Sequence, residues 1–362
     1  MALNRKRQTA SSAWLLVPGS LESRTGGYAY DRRIAAELRR RGWTIAVREL
    51  DASFPRPTAA ALADAARVLA DIPDGHTVLV DGLALGVMPS EVEREASRLR
   101  LVALVHMPLA AEIGIDSDVA ARLEASERRA LGAAALVVVT GRWTMSALER
   151  YDVGRHRIAL VEPGTDRGPV ARGSGGSPLE LLCTATLNPG KGHEILIRAL
   201  ASLSPRGWHL TCAGSLDRHP PTVERVRAIV RAKSLDDRVS LVGELDDVAL
   251  AAAFDRADLF VLATLRETYG MAVAEALAHG LPVVSTTTGA IADLVGPADD
   301  GAGLLVPPGD EAALETALSR VMSDARLRHR LAEGARRMRG RLPTWEEAAD
   351  KMAAALERIE RR

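Results

Sequence analysis

Two carboxylates separated by seven residues, Glu267 and Glu275, lie in the stretch Thr264 to Gly289, which reads TLRETYGMAVAEALAHGLPVVSTTTG. Apolar runs on either side, Asp258 to Ala263 and Val283 to Ser285, read as buried parallel strands. The stretch is therefore a strand, loop, helix, strand unit. Gly270 permits a tight turn, Met271 to His279 carries a helical pattern, Gly280 suits the C-cap, and Pro282 stands where a helix cannot continue. This places Glu267 in the loop before the helix and Glu275 about one turn inside it. The unpaired amides of the helix start point toward the same mouth of the sheet, where they can hold a phosphate or sugar oxygen. Carboxylates beside such amides suit a ligand that is part phosphate and part polyol.

A second place of this kind is Gly190-Lys191-Gly192, which opens a helix running through Leu203. A lysine flanked by glycines at a helix start joins a positive charge to free amides, the combination a diphosphate needs. The loop is not a Walker A loop, because the earlier glycine and the Ser or Thr after the lysine are missing. Upstream, the buried run Leu101 to Val105 delivers His106 to the carboxyl end of its strand, the edge where open α/β sheets bind ligands. A lone histidine there serves structure as readily as chemistry. Gly26-Gly27 closes the loop after the first strand, where two residues without Cβ either admit a ligand to the backbone or make a tight turn. Gly-x-Gly-x-x-Gly is absent there, so the pair is not a dinucleotide fingerprint.

The elements that position these groups alternate strand and helix along the whole chain. Expected strands are Ala13 to Val17, Trp43 to Val47, Thr77 to Val80, Leu101 to Val105, Leu136 to Val139 and Ile158 to Val161. They recur after a break at Leu179 to Cys183, His209 to Ala213 and Val239 to Val242, and then in the Glu267 unit. The break is GPVARGSGGSP, residues 168–178, a composition that resists packing and reads as a flexible linker. The expected architecture is α/β, with two Rossmann-like doubly wound parallel sheets facing across a cleft. Residues 1–167 form the first domain, 179–342 the second, and 343–362 a final helix.

At 362 residues, two domains of ordinary size are the natural division. The 47 basic and 47 acidic side chains balance, and aromatic residues make up 3%. Neither a basic stripe nor aromatic platforms are available for nucleic acid. Cys183 and Cys212 fall inside apolar strands and read as reduced core thiols, which points to the cytoplasm. The polar start, Met1 to Ala13, has no apolar run for a signal peptide, and no stretch of about 18 apolar residues occurs anywhere. A helix expected from Tyr28 to Arg41 carries Arg32, Arg33, Arg39, Arg40 and Arg41 outside an apolar face. It reads as a solvated face or as peripheral contact with an anionic membrane.

Taken together, Glu267, Thr268-Tyr269-Gly270, Glu275 and the closing AHGLPVV resemble the retaining glycosyltransferases of family 4, which have the GT-B fold. Leu-Val-His106-Met-Pro and the Pro163-x-Gly-x-Asp166 segment resemble the same family. The resemblance covers nearly the whole chain and is strongest from Leu181 to Pro308. It implies transfer of a sugar from a UDP- or GDP-linked donor to a hydroxyl acceptor, with the donor on the second domain and the acceptor on the first. It implies that Glu267 sits near the donor sugar, that the backbone at Tyr269, Gly270, Met271 and Ala272 contacts sugar and phosphate, and that Glu275 holds the ribose diol. It also implies that Lys191 and Gly190 grip the diphosphate, that Gly26 and Gly27 lie where phosphate meets acceptor, and that His106 contacts the donor sugar. The base would meet the backbone of Gly243 and Glu244, and Thr140 or Arg142 would face the acceptor or cap a helix. His106, Glu267 and Lys191 are then the catalytic set, with no cofactor beyond the donor and no Asp-x-Asp placed for a metal. The final helix would cross back to the first domain. One departure stands out: Thr186 occupies the position of the family's second diphosphate cation, an arginine, and Arg266 or Arg218 would have to replace it. With that arginine missing, a sugar-nucleotide-binding regulator and a phosphorylase-like enzyme are the alternatives. Acceptor and oligomeric state are not legible.

Overall fold

The computed structural model describes residues 11–203 and 207–361; Arg5, Lys6 and Arg7 lie outside them. Two six-stranded parallel sheets carry the fold. The first comprises β1 (Ser12–Pro18), β2 (Thr44–Leu50), β3 (Thr77–Asp81), β4 (Arg100–Val105), β5 (Leu136–Val139) and β6 (Ile158–Leu160), in the order β2-β1-β3-β4-β5-β6. The second comprises β7 (Leu179–Thr184), β8 (Trp208–Ala213), β9 (Val239–Gly243), β10 (Leu259–Leu262), β11 (Val283–Thr286) and β12 (Gly303–Val306), in the order β12-β11-β10-β7-β8-β9.

Helices cover both faces of each sheet, so the strands are buried on both sides and read as apolar runs. Leu101 to Val105 and Leu136 to Val139 are all at most 1% exposed. The second sheet holds one continuous core, whereas the two faces of the first hold separate clusters. Chain order reverses between β1 and β3 in the first sheet and between β7 and β10 in the second. At such a reversal the flanking loops leave in opposite directions and open a crevice at the carboxyl ends. Gly26-Gly27 follows β1, Lys191 follows β7 and Glu267 follows β10, so the two crevices collect the chemically suggestive residues.

Two expectations need correction. Segment 168–178 is laid along the second domain and is not free. Ala171 donates to His279 O at 2.8 Å, Gly173 to Asp255 O at 2.9 Å and Ser174 to Asp258 Oδ1 at 3.0 Å, and Arg172 pairs with Asp255. Its backbone amides found partners that composition alone does not reveal. The helix expected from Tyr28 runs Gly26–Arg40, so Gly26 and Gly27 are its first two residues, and neither has positive φ. Its arginines are also engaged. Arg33 forks onto Asp166 at 2.6 and 2.7 Å, Arg40 binds Glu37 at 2.7 Å, Arg41 binds Asp350 at 2.7 Å, and Arg32 and Arg39 donate to backbone oxygens. No helix among the described residues is long and apolar enough to cross a membrane.

The final helix, Trp345–Glu360, starts with a capping box between Thr344 and Glu347. Its buried stripe, Trp345, Met352, Leu356 and Ile359, joins Tyr30, Ile34 and Leu38 of the first domain in one apolar cluster. The chain's last element thereby packs on its first helix.

Candidate functional site

The second domain's half of the site is built from two loops tied together by the backbone. Leu265 N donates to Gly190 O at 2.8 Å and Thr264 Oγ1 to the same oxygen at 3.1 Å. Gly192, at φ +66°, turns the first loop into the helix His193–Ala201. A side chain there would strike the carbonyl of Ala263, so the close approach of β7 and β10 requires glycine. The result brings Lys191 Nζ against Glu267 Oε1 in a partly buried ion pair. The backbone of Glu267 is fixed in turn, since its amide donates to Thr288 Oγ1 at 3.2 Å and Gly289 backs onto its carbonyl.

Gly270, at φ +99°, caps the helix Met271–Ala278, and a Cβ there would lie 3.0 Å from Ile291 Cγ1. The amides of Met271 and Ala272 open that helix. Glu275 comes one turn later, with no side-chain hydrogen-bond partner among the described residues. Burial pushes its carboxyl up to about 7, with the charge of Asp166 adding to the effect. A carboxyl poised near neutrality and without a partner is ready to accept from paired hydroxyls. Tyr269 is 5% exposed and its ring packs in the second core, so the side chain serves packing while the backbone makes the turn.

The first domain supplies the opposite wall. His106 leaves the end of β4 with Nε2 3.1 Å from Asp31 Oδ1 and 3.7 Å from Asp81 Oδ2. Asp31 sits on the inner face of the first helix and Asp81 ends β3, and both are buried. Burial and the nearby charge of Asp31 push Asp81 up to about 7. For His106, burial opposes the cation, but the charge and hydrogen bond of Asp31, with the charge of Asp81, outweigh it and raise the pKa. The aspartates were missed in the sequence. The available signal was position, since Asp31 falls on the apolar stripe of Ile34, Ala35 and Leu38, where a charge needs a reason. A Cβ at Gly27 would lie 3.3 Å from His106 Cδ2, and one at Gly26 3.7 Å from Met271 Sδ. The glycines therefore let the imidazole and the second domain's helix start approach the same turn.

Several contacts cross between the domains. Arg24 donates to Leu245 O, in the loop that carries Gly243 and the exposed Glu244. Arg266 donates to Ala111 O and stands 5.8 Å over the ring of Trp143. Arg266 thus has its partners in the first domain. Arg218 is exposed, and its charge reaches Tyr28, beside the Gly26-Gly27 turn. Thr140 is buried and Arg142 lies 3.8 Å from Glu162. Among the described residues, two sets of side chains have the spacing of metal ligands, Asp31-Asp81-His106 and the buried Cys183-His193-Cys212. Both cysteines are free thiols.

Residues 178–324 match the family model "Glycosyl transferases group 1". Through this segment the chain is similar to the group 1 glycosyltransferases. It is 27% identical to an MMP alpha-(1->4)-mannosyltransferase of Mycolicibacterium hassiacum, over 85% of this chain and 76% of that one. It is 30% identical to a D-inositol 3-phosphate glycosyltransferase of Salinispora arenicola, over 60% of this chain, and spans about half of that relative (53%). In fold, the chain superposes on a sucrose-phosphate synthase from Thermosynechococcus elongatus with a TM-score of 0.81, at 22% identity and over 96% and 99% of the two chains. It superposes on Anabaena Alr3699/HepE, solved in complex with UDP-glucose, with a TM-score of 0.76, at 18% identity and over 95% and 99%. The architecture is GT-B.

Proposed function

We propose that this glycosyltransferase moves a sugar from a nucleoside diphosphate sugar to a hydroxyl acceptor with retention of configuration, drawing its electrostatic stabilisation from protein groups and not from a metal. The observation that carries the proposal is the convergence of Lys191, Glu267, Glu275 and the amides of the helix Met271–Ala278 at one sheet reversal, facing His106 and Gly26-Gly27 at the other. In this reading the ribose diol donates to Glu275, whose carboxylate becomes fully ionised on binding. The diphosphate takes Lys191 and the free amides, and Lys191 exchanges part of its bond to Glu267 for the charge that grows on the leaving group. Glu267 then positions the sugar. The departing phosphate takes the acceptor proton on the same face, so no protein nucleophile is required. That solved neighbours of this fold were crystallised with UDP and UDP-glucose supports such a donor.

The test is turnover of a panel of UDP- and GDP-sugars with sugar, polyol and lipid hydroxyl acceptors, in the presence and absence of a chelator. Release of the nucleoside diphosphate with an α-linked product, unaffected by chelation, is expected. Loss of turnover on chelation would remove the metal-free part, and turnover dependent on inorganic phosphate would favour a phosphorylase-like enzyme.

A further inference from the structure

Cys183, Cys212 and His193 bring two thiols and an imidazole together in the core of the second domain, directly behind the loop that carries Lys191. We infer that these three side chains form a structural zinc site, which fastens the ends of β7 and β8 to the start of the helix His193–Ala201. Cys183 and Cys212 stand opposite each other in the parallel register of β7 and β8, so both side chains leave the same face of the sheet. His193 is the first residue of its helix, and its Nε2 lies 3.7 Å from Cys183 Sγ. One ligand atom from each of the three residues lies within 4.8 Å of the other two. Zinc bonds of about 2.3 Å to sulfur and about 2.0–2.1 Å to nitrogen, at a tetrahedral angle, place the two ligand atoms about 3.6 Å apart. The Cys183–His193 separation is therefore already that of two ligands on one ion.

The chemistry of the set selects the ion. Two sulfurs and an imidazole, with no carboxylate among them, are soft donors that suit zinc and not magnesium or calcium. Cys183 and Cys212 are 0% exposed and His193 is 1% exposed, so a bound ion must leave no uncompensated charge. Two thiolates, a neutral imidazole and Zn2+ meet that condition, and each ion loaded releases the two thiol protons. The fourth corner of the tetrahedron falls to a single water, as in other zinc sites with three protein ligands. Hydrogen bonds within the protein do not account for the imidazole: His193 Nδ1 is buried with no partner, and the partner of Nε2 is a sulfur. Burying a ring so poorly paired is unfavourable, and a bond from the ring to an ion offsets that cost. His193 follows Lys191 by two positions, so an ion here also steadies the turn that presents the lysine. With its ligands closed to solvent, the ion is out of reach of a chelator added during turnover. The inference is thus independent of the sugar-transfer reading and of its chelation test.

The test uses the full chain, produced in cells grown with added zinc, with added cadmium, or without either, and purified in a phosphine reductant with no chelator. Cys183 and Cys212 are the only cysteines of the chain, so a sulfur-to-cadmium charge-transfer absorption in the ultraviolet reports this site alone. An ion at Asp31, Asp81 and His106 gives no such absorption. We expect one equivalent of zinc per chain after gel filtration, the charge-transfer band in the cadmium form, and a thermal midpoint several degrees higher in the zinc form than in the chain grown without metal. Cys183→Ala and Cys212→Ala should each weaken the band and lose the zinc, and His193→Gln should lose the zinc. The wild-type forms give the answer even where a variant fails to fold. No retained zinc and no cadmium band would overturn the inference, as would retained zinc without the band, which places the ion elsewhere. Zinc held as well in His193→Gln would remove the histidine, and zinc and metal-free forms that melt together would remove the fastening role.

Discussion

Glu275 offers a prediction in which function and stability pull in opposite directions. Its carboxyl moves from an ordinary 4.5 to about 7 in the folded protein. Between these values the folded chain keeps a proton that the unfolded chain has released, so folding is opposed increasingly as pH rises through the window, and the cost is fully present above pH 7. At about 1.4 kcal/mol per pH unit the displacement corresponds to about 3 kcal/mol. The side chain is partly exposed, and solvent screening reduces this to about 1–2 kcal/mol. Glu275→Gln removes the ionisation while keeping the shape. The variant should therefore be more stable than the wild type at pH 8 by about that amount, and equal to it near pH 4, where both states of the wild type are protonated. It should also lose most of the stabilisation given by nucleoside diphosphates, since a neutral amide is a weaker acceptor for a diol. The assay is the thermal midpoint at the two pH values, with and without nucleotide. A variant no more stable at pH 8, or equally stabilised at both pH values, would refute the reasoning.

Three further outcomes are expected. Gly289→Ala forces a side chain onto the Glu267 carbonyl at a φ of +58°, and should cost about 1–3 kcal/mol while lowering turnover more than nucleotide affinity, which steady-state kinetics would separate. Arg218→Ala should weaken nucleoside diphosphate binding about tenfold, the scale of one charge-assisted bond. Adding Thr186→Arg should recover it in a titration, and no loss would leave Lys191 as the only cation. Trp345→Ala, which empties a 5% exposed position beside Tyr30 and Arg33, should cost about 3–5 kcal/mol and raise proteolysis near residue 343.

Much of this architecture was legible because buried parallel strands must be apolar on both faces and the turns between them need particular residues. Leu101 to Val105 and Leu136 to Val139 stand out as uninterrupted runs, and Gly192, Gly270 and Gly280 all adopt the positive φ that their places at helix ends suggested. Fine contacts were less visible. The strand Gly303–Val306 is short, half-buried and glycine-led, so its pattern does not separate it from a loop. Segment 168–178 has the composition of a flexible linker, yet Asp255 and Asp258, far along the chain, bind its backbone and its arginine. Arg266 and Arg218 are equivalent in sequence, and only folding shows that Ala111 and Trp143 engage the first while the second stays exposed. The Asp31-His106 contact joins residues 75 positions apart, and no local pattern announces such a pairing.

The most direct measurement is the thermal stabilisation of the wild type by a panel of nucleoside diphosphates and their sugars, compared with Lys191→Ala and Glu275→Ala. A ligand at 100 times its dissociation constant adds about 2.7 kcal/mol. The account predicts a clear shift with one base and its loss in both variants. No shift with any of them at millimolar concentration, or a shift that both variants retain, would contradict it.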